Sequence, residues 1–317
     1  MKISKLFWLD LRSSGISALE RLSLEEALLR HDHRNWFLVG SHQPLDHKYL
    51  TKKDLPSYAS PVPNPDCIVV MGVGGKPSEL LNIPLVKSKK VLVTKRFSGG
   101  GTVVLDSNSI WTTFIGRNED FLPHGVEPFP RSIMKWTADR LFGPAFNKLN
   151  NARLSPILVD ENETSPSGFG NLGEKTMQKL DSDVSGPQFR LRENDYVLGD
   201  LKMGGNAQSI VKDGWLHHTS FLWDYEDSHM QYLMLPKKRP DYRGERSHRD
   251  FLVRLKSIYG DSSDIFVSSL HATCSQTALN VESIPLNRVM EEVVNNKLGG
   301  MDTWFEKCRT RILHKFD

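Results

Sequence analysis

The chain has 317 residues, with 41 Lys and Arg against 38 Asp and Glu, a formal net charge of +3, and 38% hydrophobic and 25% charged residues. This composition suits a globular protein with a sizeable core, and the small net charge implies no strong field for nucleic acid or anionic lipid, so a bound anion needs a local site. Three cysteines without CxxC spacing (Cys67, Cys274, Cys308) argue against a disulfide framework and a cysteine zinc knuckle, and no apolar run is long enough to span a membrane.

A reducing compartment and a soluble, non-secreted protein are therefore expected, although Met1 to Ser14 carries Lys2, Lys5 and Arg12 against Asp10 alone, a trace of targeting composition. The length fits two domains, or one large domain with an appendage. Ala18 to His31, ALERLSLEEALLRH, has leucines near helical spacing and early acids, which predicts an amphipathic helix on the core. The proline-rich stretch Thr51 to Asp66 predicts a surface loop feeding a buried strand, Cys67 to Met71. From Lys90, VLVTKRF, TVVLD and IWTTFI are three β-rich segments separated by SGGG and SNS, as in an antiparallel sheet. Arg131 to Phe142 reads as a helix. Asn162 to Gly186 is polar and glycine-rich, and a mobile insertion is expected over about 162–186.

Beyond it, YVLGDLKMGG, NAQSIV and WLHHTSFLW predict three further strands, with a hairpin turn at Asp213-Gly214. Arg246 to Tyr259 and Leu286 to Asn296 read as helices, and Thr303 to His314 as a charged terminal helix. The loop signal GDSSD places a boundary near Gly260, dividing residues 1–259 from a short C-terminal extension at 260–317.

Gly72-Val73-Gly74-Gly75-Lys76-Pro77 fails as a phosphate loop, because the spacing is wrong and Pro77 stands where a hydroxyl is needed. No G-x-G-x-x-G opens a helix after a strand, so nucleotide-binding βαβ readings are set aside. Ser98-Gly99-Gly100-Gly101-Thr102 is more informative: three glycines remove every Cβ and let backbone N–H groups approach a ligand, while Arg96 offers a fork for carboxylate or phosphate. Taken alone, the triplet is equally a flexible hairpin loop.

Lys202 precedes Met203-Gly204-Gly205-Asn206-Ala207-Gln208, a basic residue at a strand end before a glycine-opened turn. A lysine there suits neutralisation of oxygens at an acyl phosphate, whereas a lone loop lysine is ordinarily just solvated. Asp195, in an Asn194-Asp195 pair seven residues earlier, is a candidate ligand for magnesium carrying nucleotide phosphates, though such a pair is more often only a turn. His217 and His218 point to opposite faces of a strand, so they do not share a metal; one faces the site and the other the core or solvent.

KRFSGGGTVVLD, END, DLKMGGNAQ and WLHHTSFLWD occur in one order, and together they resemble the lipoate-protein ligase A branch of the biotin/lipoate ligase family. The resemblance runs from about Leu22 to roughly Leu255. It implies an α+β fold, a mixed and largely antiparallel sheet flanked by helices around an acyl tunnel, with a short helical extension at the C-terminus. It implies an ATP-dependent enzyme that joins lipoate or octanoate to a lysine through an acyl-adenylate. Lys202 would then hold the carboxylate and α-phosphate. Arg96 with Ser98, Gly99, Gly100, Gly101 and Thr102 would line the acyl and phosphate path. Asn194 and Asp195 would steady nucleotide and Mg2+, Gly205 and Ala207 would make room for the adenylate, and His218 would face the substrate.

The implied partners are lipoyl-domain acceptors, namely 2-oxoacid dehydrogenase acyltransferase subunits and the glycine-cleavage carrier protein, with no nucleic acid and no membrane, served by a monomer. Those acceptors place the work in mitochondria in a eukaryote and in the cytoplasm otherwise. Two positions depart from the family pattern: Leu105-Asp106 stands where His-Asp is common, and Gly204 where Ser is usual. The part after the matched region is also short. Two rivals follow: an octanoyl or lipoyl transferase of the same fold working from an activated acyl group, with a cysteine thioester as one route, and a non-catalytic binding protein that keeps the fold.

Overall fold

The computed structural model describes residues 2–43, 55–154, 188–235 and 239–316, so the insertion expected at about 162–186 lies outside the described residues. Two sheets organise the chain. The larger contains β1 (Ile3–Asp10), β2 (Trp36–Gly40), β6 (Ile110–Arg117), β7 (Phe189–Arg192), β8 (Asp195–Leu198), β9 (Leu201–Val211), β10 (Gly214–Phe221) and β11 (Ala278–Ser283). Their spatial order is β11-β1-β2-β6-β10-β9-β8-β7. The smaller sheet orders β12 (Arg311–Ile312), β4 (Leu92–Lys95), β3 (Cys67–Met71) and β5 (Val103–Asp106) as β12-β4-β3-β5. Pairing is parallel where β1 meets β2 and β11 and where β3 meets β4, and antiparallel at the other described junctions. The fold is thus the expected mixed, largely antiparallel α+β arrangement.

Helix α1 (Ala18–His31) begins at a capping box: the Ser17 hydroxyl accepts from the Glu20 amide at 3.3 Å, and the Glu20 carboxylate accepts from the Ser17 amide at 2.7 Å. Its residues from Ala18 to Leu29 are all buried, polar ones included, so the helix is enclosed by the fold and does not present a wet face. Leu24 and Leu28 join Trp36, Ile115 and Leu216 in one core. On the opposite side, α2 (Pro130–Thr137), α3 (Gly143–Leu154) and α4 (Asp264–Thr277) cover Phe114, Trp215 and Phe221. A π-helical turn at Ala138–Phe142 joins α2 to α3.

Several expectations are corrected. The three segments after Lys90 do not form one antiparallel sheet, because β4 and β5 flank β3 without pairing to each other and β6 belongs to the larger sheet. Lys202 to Ala207 is not a turn but the first part of an eleven-residue strand. Arg246 to Tyr259 is two short helices, His248–Phe251 and Lys256–Tyr259, separated where Leu252 bridges Lys202.

The boundary near Gly260 falls in a turn, but residues 260–317 are not an appendage. β11 extends the larger sheet beside β1, and β12 edges the smaller one beside β4. Helix stops at Phe305 instead of running to His314 because buried Glu26 captures the tail, its Oε2 accepting from the amides of Arg309 at 2.9 Å and Thr310 at 3.2 Å.

Candidate active site

The loop from Arg96 to Thr102 crosses the end of β3 and lies on β9. The Gly99 amide donates to the Gln208 carbonyl at 2.8 Å, and the Gln208 amide donates back at 3.3 Å. Gly100 has φ +111°, and a Cβ there would stand 2.7 Å from the Asn206 carbonyl oxygen and 2.9 Å from Ala207 Cα. A Cβ on Gly72, just after β3, would sit 2.2 Å from the Gly100 carbonyl oxygen. The two glycine-containing motifs therefore meet backbone to backbone, a closeness that side chains would forbid.

Arg96 differs from its expected role. Its Nε donates to Ser98 Oγ at 3.0 Å, Nη1 to the Val70 carbonyl at 3.2 Å, and Nη2 to the carbonyls of Gly99 at 3.1 Å and Gly101 at 2.8 Å. The guanidinium borders the cavity, yet it is spent on holding the loop in shape, because a loop bent over a strand end leaves carbonyls that need donors. Burial pushes its pKa down to about 10, still far above neutrality.

Below the loop, Ser98 Oγ lies 3.3 Å from His218 Nδ1, and His218 Nε2 lies 2.7 Å from Glu25 Oε2. Glu25 Oε1 accepts from Arg21 Nε at 2.8 Å and Thr113 Oγ1 at 2.6 Å. Burial would raise the Glu25 carboxyl, but Arg21, His218 and Thr113 outweigh it and hold it below its ordinary value. Burial lowers His218, with Glu25 opposing incompletely, so the imidazole is neutral near pH 7. With Glu25 ionised, Nε2 carries the proton and Nδ1 accepts from Ser98, which itself accepts from Arg96; all four groups thus act as one directed chain of hydrogen bonds. His217 turns to the other face of β10, among Tyr196 Oη at 3.0 Å, Thr219 Oγ1 at 3.2 Å and Gln208 Nε2 at 3.0 Å. Only His218 of the pair borders the cavity.

Lys202 reaches the cavity from β9, where its Nζ is 2.6 Å from Asp195 Oδ1. Asp195 Oδ2 accepts from Tyr242 Oη at 2.8 Å. Both oxygens of Asp195 are thus engaged, and among the described residues no three His, Cys, Asp or Glu side chains gather as a metal site. These residues do not fit a protein-built magnesium site.

The cavity has a volume of about 680 Å³ and a mixed lining. Its apolar side chains include Val70, Val103, Leu105, Trp111 and Met134. Its polar and charged ones include Asn194, Asp195, Lys202, Arg239, Arg243 and His248. Gly99 to Thr102, Gly205 and Ala207 lie along the same cavity, so all the residues singled out from the sequence border it except Ser98, which is fully buried behind the loop.

Leu105 replaces a polar side chain with an apolar wall. At Gly204 a Cβ would stand 3.3 Å from the Ser220 carbonyl oxygen and 3.4 Å from the Phe221 and Thr219 side chains, a tight fit. The sequence reading missed Arg21 and Glu25, whose signal was charge at i, i+4 within a leucine-rich helix. It also missed Arg239, Tyr242, Arg243 and His248, which sit in a polar segment with no periodicity.

A cavity lined by apolar side chains, a lysine and a glycine loop thus sits within an α+β fold. The chain belongs to the lipoyl protein ligase A/B catalytic domain family, whose profile matches residues 17–276. It is 28% identical over 221 residues to the "Inactive lipoate-protein ligase 2" of Plasmodium falciparum isolate 3D7, covering 64% of this chain and 52% of that protein. The chain thus spans about half the length of that curated relative.

Among solved structures, P. falciparum LipL1 in complex with lipoate is 15% identical with a TM-score of 0.53, covering 91% of this chain and 68% of that one. Lipoate-protein ligase A bound with ATP is 15% identical with a TM-score of 0.52, covering 92% of each chain. A bi-partite ligase with its E2 lipoyl domain from Thermoplasma acidophilum is 14% identical with a TM-score of 0.51, covering 96% and 98%. At these identities the three structures share the fold. No helix among the described residues is long and apolar enough to cross a membrane.

Proposed function

We propose that this protein activates lipoate or octanoate with ATP and transfers the acyl group to a lysine of a lipoyl domain. The observation that carries the proposal is one cavity lined both by apolar side chains and by charged ones, with Lys202 of β9 among them. Burying a saturated chain along Val70, Val103 and Trp111 is worth about 0.8 kcal/mol per methylene, while the carboxylate emerges beside Lys202. There a carboxylate oxygen attacks the α-phosphate of ATP and pyrophosphate leaves. The acceptor amine then attacks the acyl carbonyl and AMP leaves. Lys202 supplies fixed positive charge to both transition states without forming a bond. The solved relatives bound to lipoate or ATP, and the one studied with its E2 lipoyl domain, support the same substrates and acceptors.

The thioester alternative lacks a nucleophile at the cavity. Cys67 is buried with its thiol pushed up to about 12, burial also raises the thiols of Cys274 and Cys308, and none of the three borders the cavity. A second reading, transfer of an already activated acyl group or binding without catalysis, is favoured by the pairing of Lys202 with Asp195 and by the curated relative's description as inactive. Lipoate-dependent exchange of labelled pyrophosphate into ATP separates these readings. Exchange that disappears in Lys202→Ala supports adenylation; no exchange in the unaltered protein refutes it.

A further inference from the structure

Tyr242 stands in the segment that follows β10, and its hydroxyl donates to Asp195 Oδ2 at 2.8 Å, a bond between a neutral donor and a carboxylate. The other oxygen of that carboxylate, Oδ1, meets Lys202 Nζ at 2.6 Å. Asp195 also acts by charge on Arg243, but among the described residues its carboxylate bonds only Tyr242 and Lys202. A carboxylate fixed at both oxygens does not turn freely, so the phenol and the ammonium are linked through it.

The tyrosine is itself held on several sides. Its ring packs 5.2 Å from that of Phe251, which borders the cavity, and the Arg192 guanidinium lies 4.5 Å over it. Its amide donates to Glu193 Oε1 at 3.4 Å, and its carbonyl accepts from Arg246 Nη2. Burial, followed by the charges of Asp195 and Glu193, pushes the phenol up, so near neutral pH it is the donor and Asp195 the acceptor. The same segment reaches back to β9, where the Val253 amide donates to the Lys202 carbonyl at 3.0 Å. Lys202 is therefore held twice from this segment: its main chain directly, and its side chain through Asp195.

We propose that Tyr242 is a positioning residue, which fixes the Asp195 carboxylate and thereby holds the Lys202 ammonium in one place at the cavity wall. The inference rests on the reading of Lys202 as the fixed charge of an acyl-transfer site. Tyr242 does not itself border the cavity, and it acts only through Asp195. Without its hydroxyl the carboxylate can rotate and the long lysine side chain gains freedom. Charge that was preorganised must then be ordered anew in each transition state.

Tyr242→Phe removes the hydroxyl and keeps the ring against Phe251 and Arg192, and two measurements on the full chain test it. The first is the rate at which an N-hydroxysuccinimide ester acetylates Lys202, read by peptide mass spectrometry. It compares the unaltered protein with Tyr242→Phe, Asp195→Asn and the double variant; the Lys202 side chain is 26% exposed and open to the reagent. Lys202 should label at least about 3-fold faster in Tyr242→Phe, with other lysines unchanged, and Tyr242→Phe should add nothing once Asp195→Asn is present. The second is pyrophosphate exchange. Its kcat should fall about 10-fold in Tyr242→Phe, the scale of one hydrogen bond to a charged group, while the KM for ATP stays within about 2-fold.

An unchanged labelling rate in Tyr242→Phe, or the same rise with Asp195→Asn already present, would overturn the assignment. So would exchange with an unchanged kcat in Tyr242→Phe. Labelling needs no turnover, so it judges the link even where the unaltered protein shows no exchange. That last result removes the adenylation reading, and faster labelling beside it still leaves Tyr242 as the residue that positions the lysine of this cavity.

Discussion

Arg96 and Arg243 border one cavity, and both are buried, at 3% and 5% exposure. Arg96 donates to three carbonyls of its surroundings and to Ser98, and so fastens the glycine loop. Arg243 Nη2 is buried without a hydrogen-bond partner. Burial of a charge thus says little about its task until its donors are counted: a guanidinium whose hydrogen bonds close within the chain is part of the frame, and one with a buried unmatched donor is not secured in the same way.

Substitutions can break this contrast. The largest expected effect is at Lys202: on the proposed route Lys202→Ala should lower acyl transfer to a lipoyl domain by on the order of 10²–10³-fold, since it removes fixed charge at the reacting centre, with some loss of thermal stability because Asp195 loses its counter-charge. Full activity in that variant would remove Lys202 from the mechanism.

Arg96→Met should next cost about 3 kcal/mol of stability in urea titration, because it leaves several buried acceptors without donors. Arg243→Met should cost much less, since it deletes an unmatched charge; equal losses would erase the distinction. Gly100→Ala should destabilise by about 1–3 kcal/mol through its positive φ and its contact with β9, and should lower acyl transfer with it. A variant as stable and active as the parent would mean that the loop does not need to lie against Asn206 and Ala207.

The smallest effect is a pH slope. His217 is held neutral by burial, which lowers its pKa to about 3, and His218 is lowered as well. The unfolded chain takes up these protons below about pH 6.5 while the native protein does not, so their contribution is complete above that pH and is lost as pH falls toward the native values. The limiting slope is about 1.4 kcal/mol per pH unit for each imidazole. Melting between pH 7.5 and 5 should show the decline, and His217→Gln should make it shallower; identical slopes would mean that His217 titrates alike in both states.

Much of the site was legible along the chain because its parts are short and local. Helix α1 was readable from its leucines and early acids, the strand at Cys67 to Met71 from its apolar run, and the β9–β10 hairpin from its turn chemistry, although the turn is Lys212-Asp213, one residue before the expected Asp213-Gly214. Arg96, the glycine triplet, Lys202 and His218 were found because glycine clusters and charged residues at strand ends are distinctive by type. Their roles were less legible. Lys202 to Ala207 reads as a turn because Gly204-Gly205 is a turn signal, yet pairing on both sides by β8 and β10 keeps it extended. The last residues read as a charged helix, yet a buried carboxylate on α1 takes their amides.

The sequence by itself determined the local elements, the family resemblance and the residue types at the cavity, since these depend on neighbours a few positions apart. Tertiary structure alone decided which charges are satisfied. Glu25 comes to His218 across 193 residues, and Tyr242 to Asp195 across 47. Whether a buried donor is closed by the chain or left for a ligand depends on atoms brought within about 3 Å from distant segments, and no local pattern records that distance.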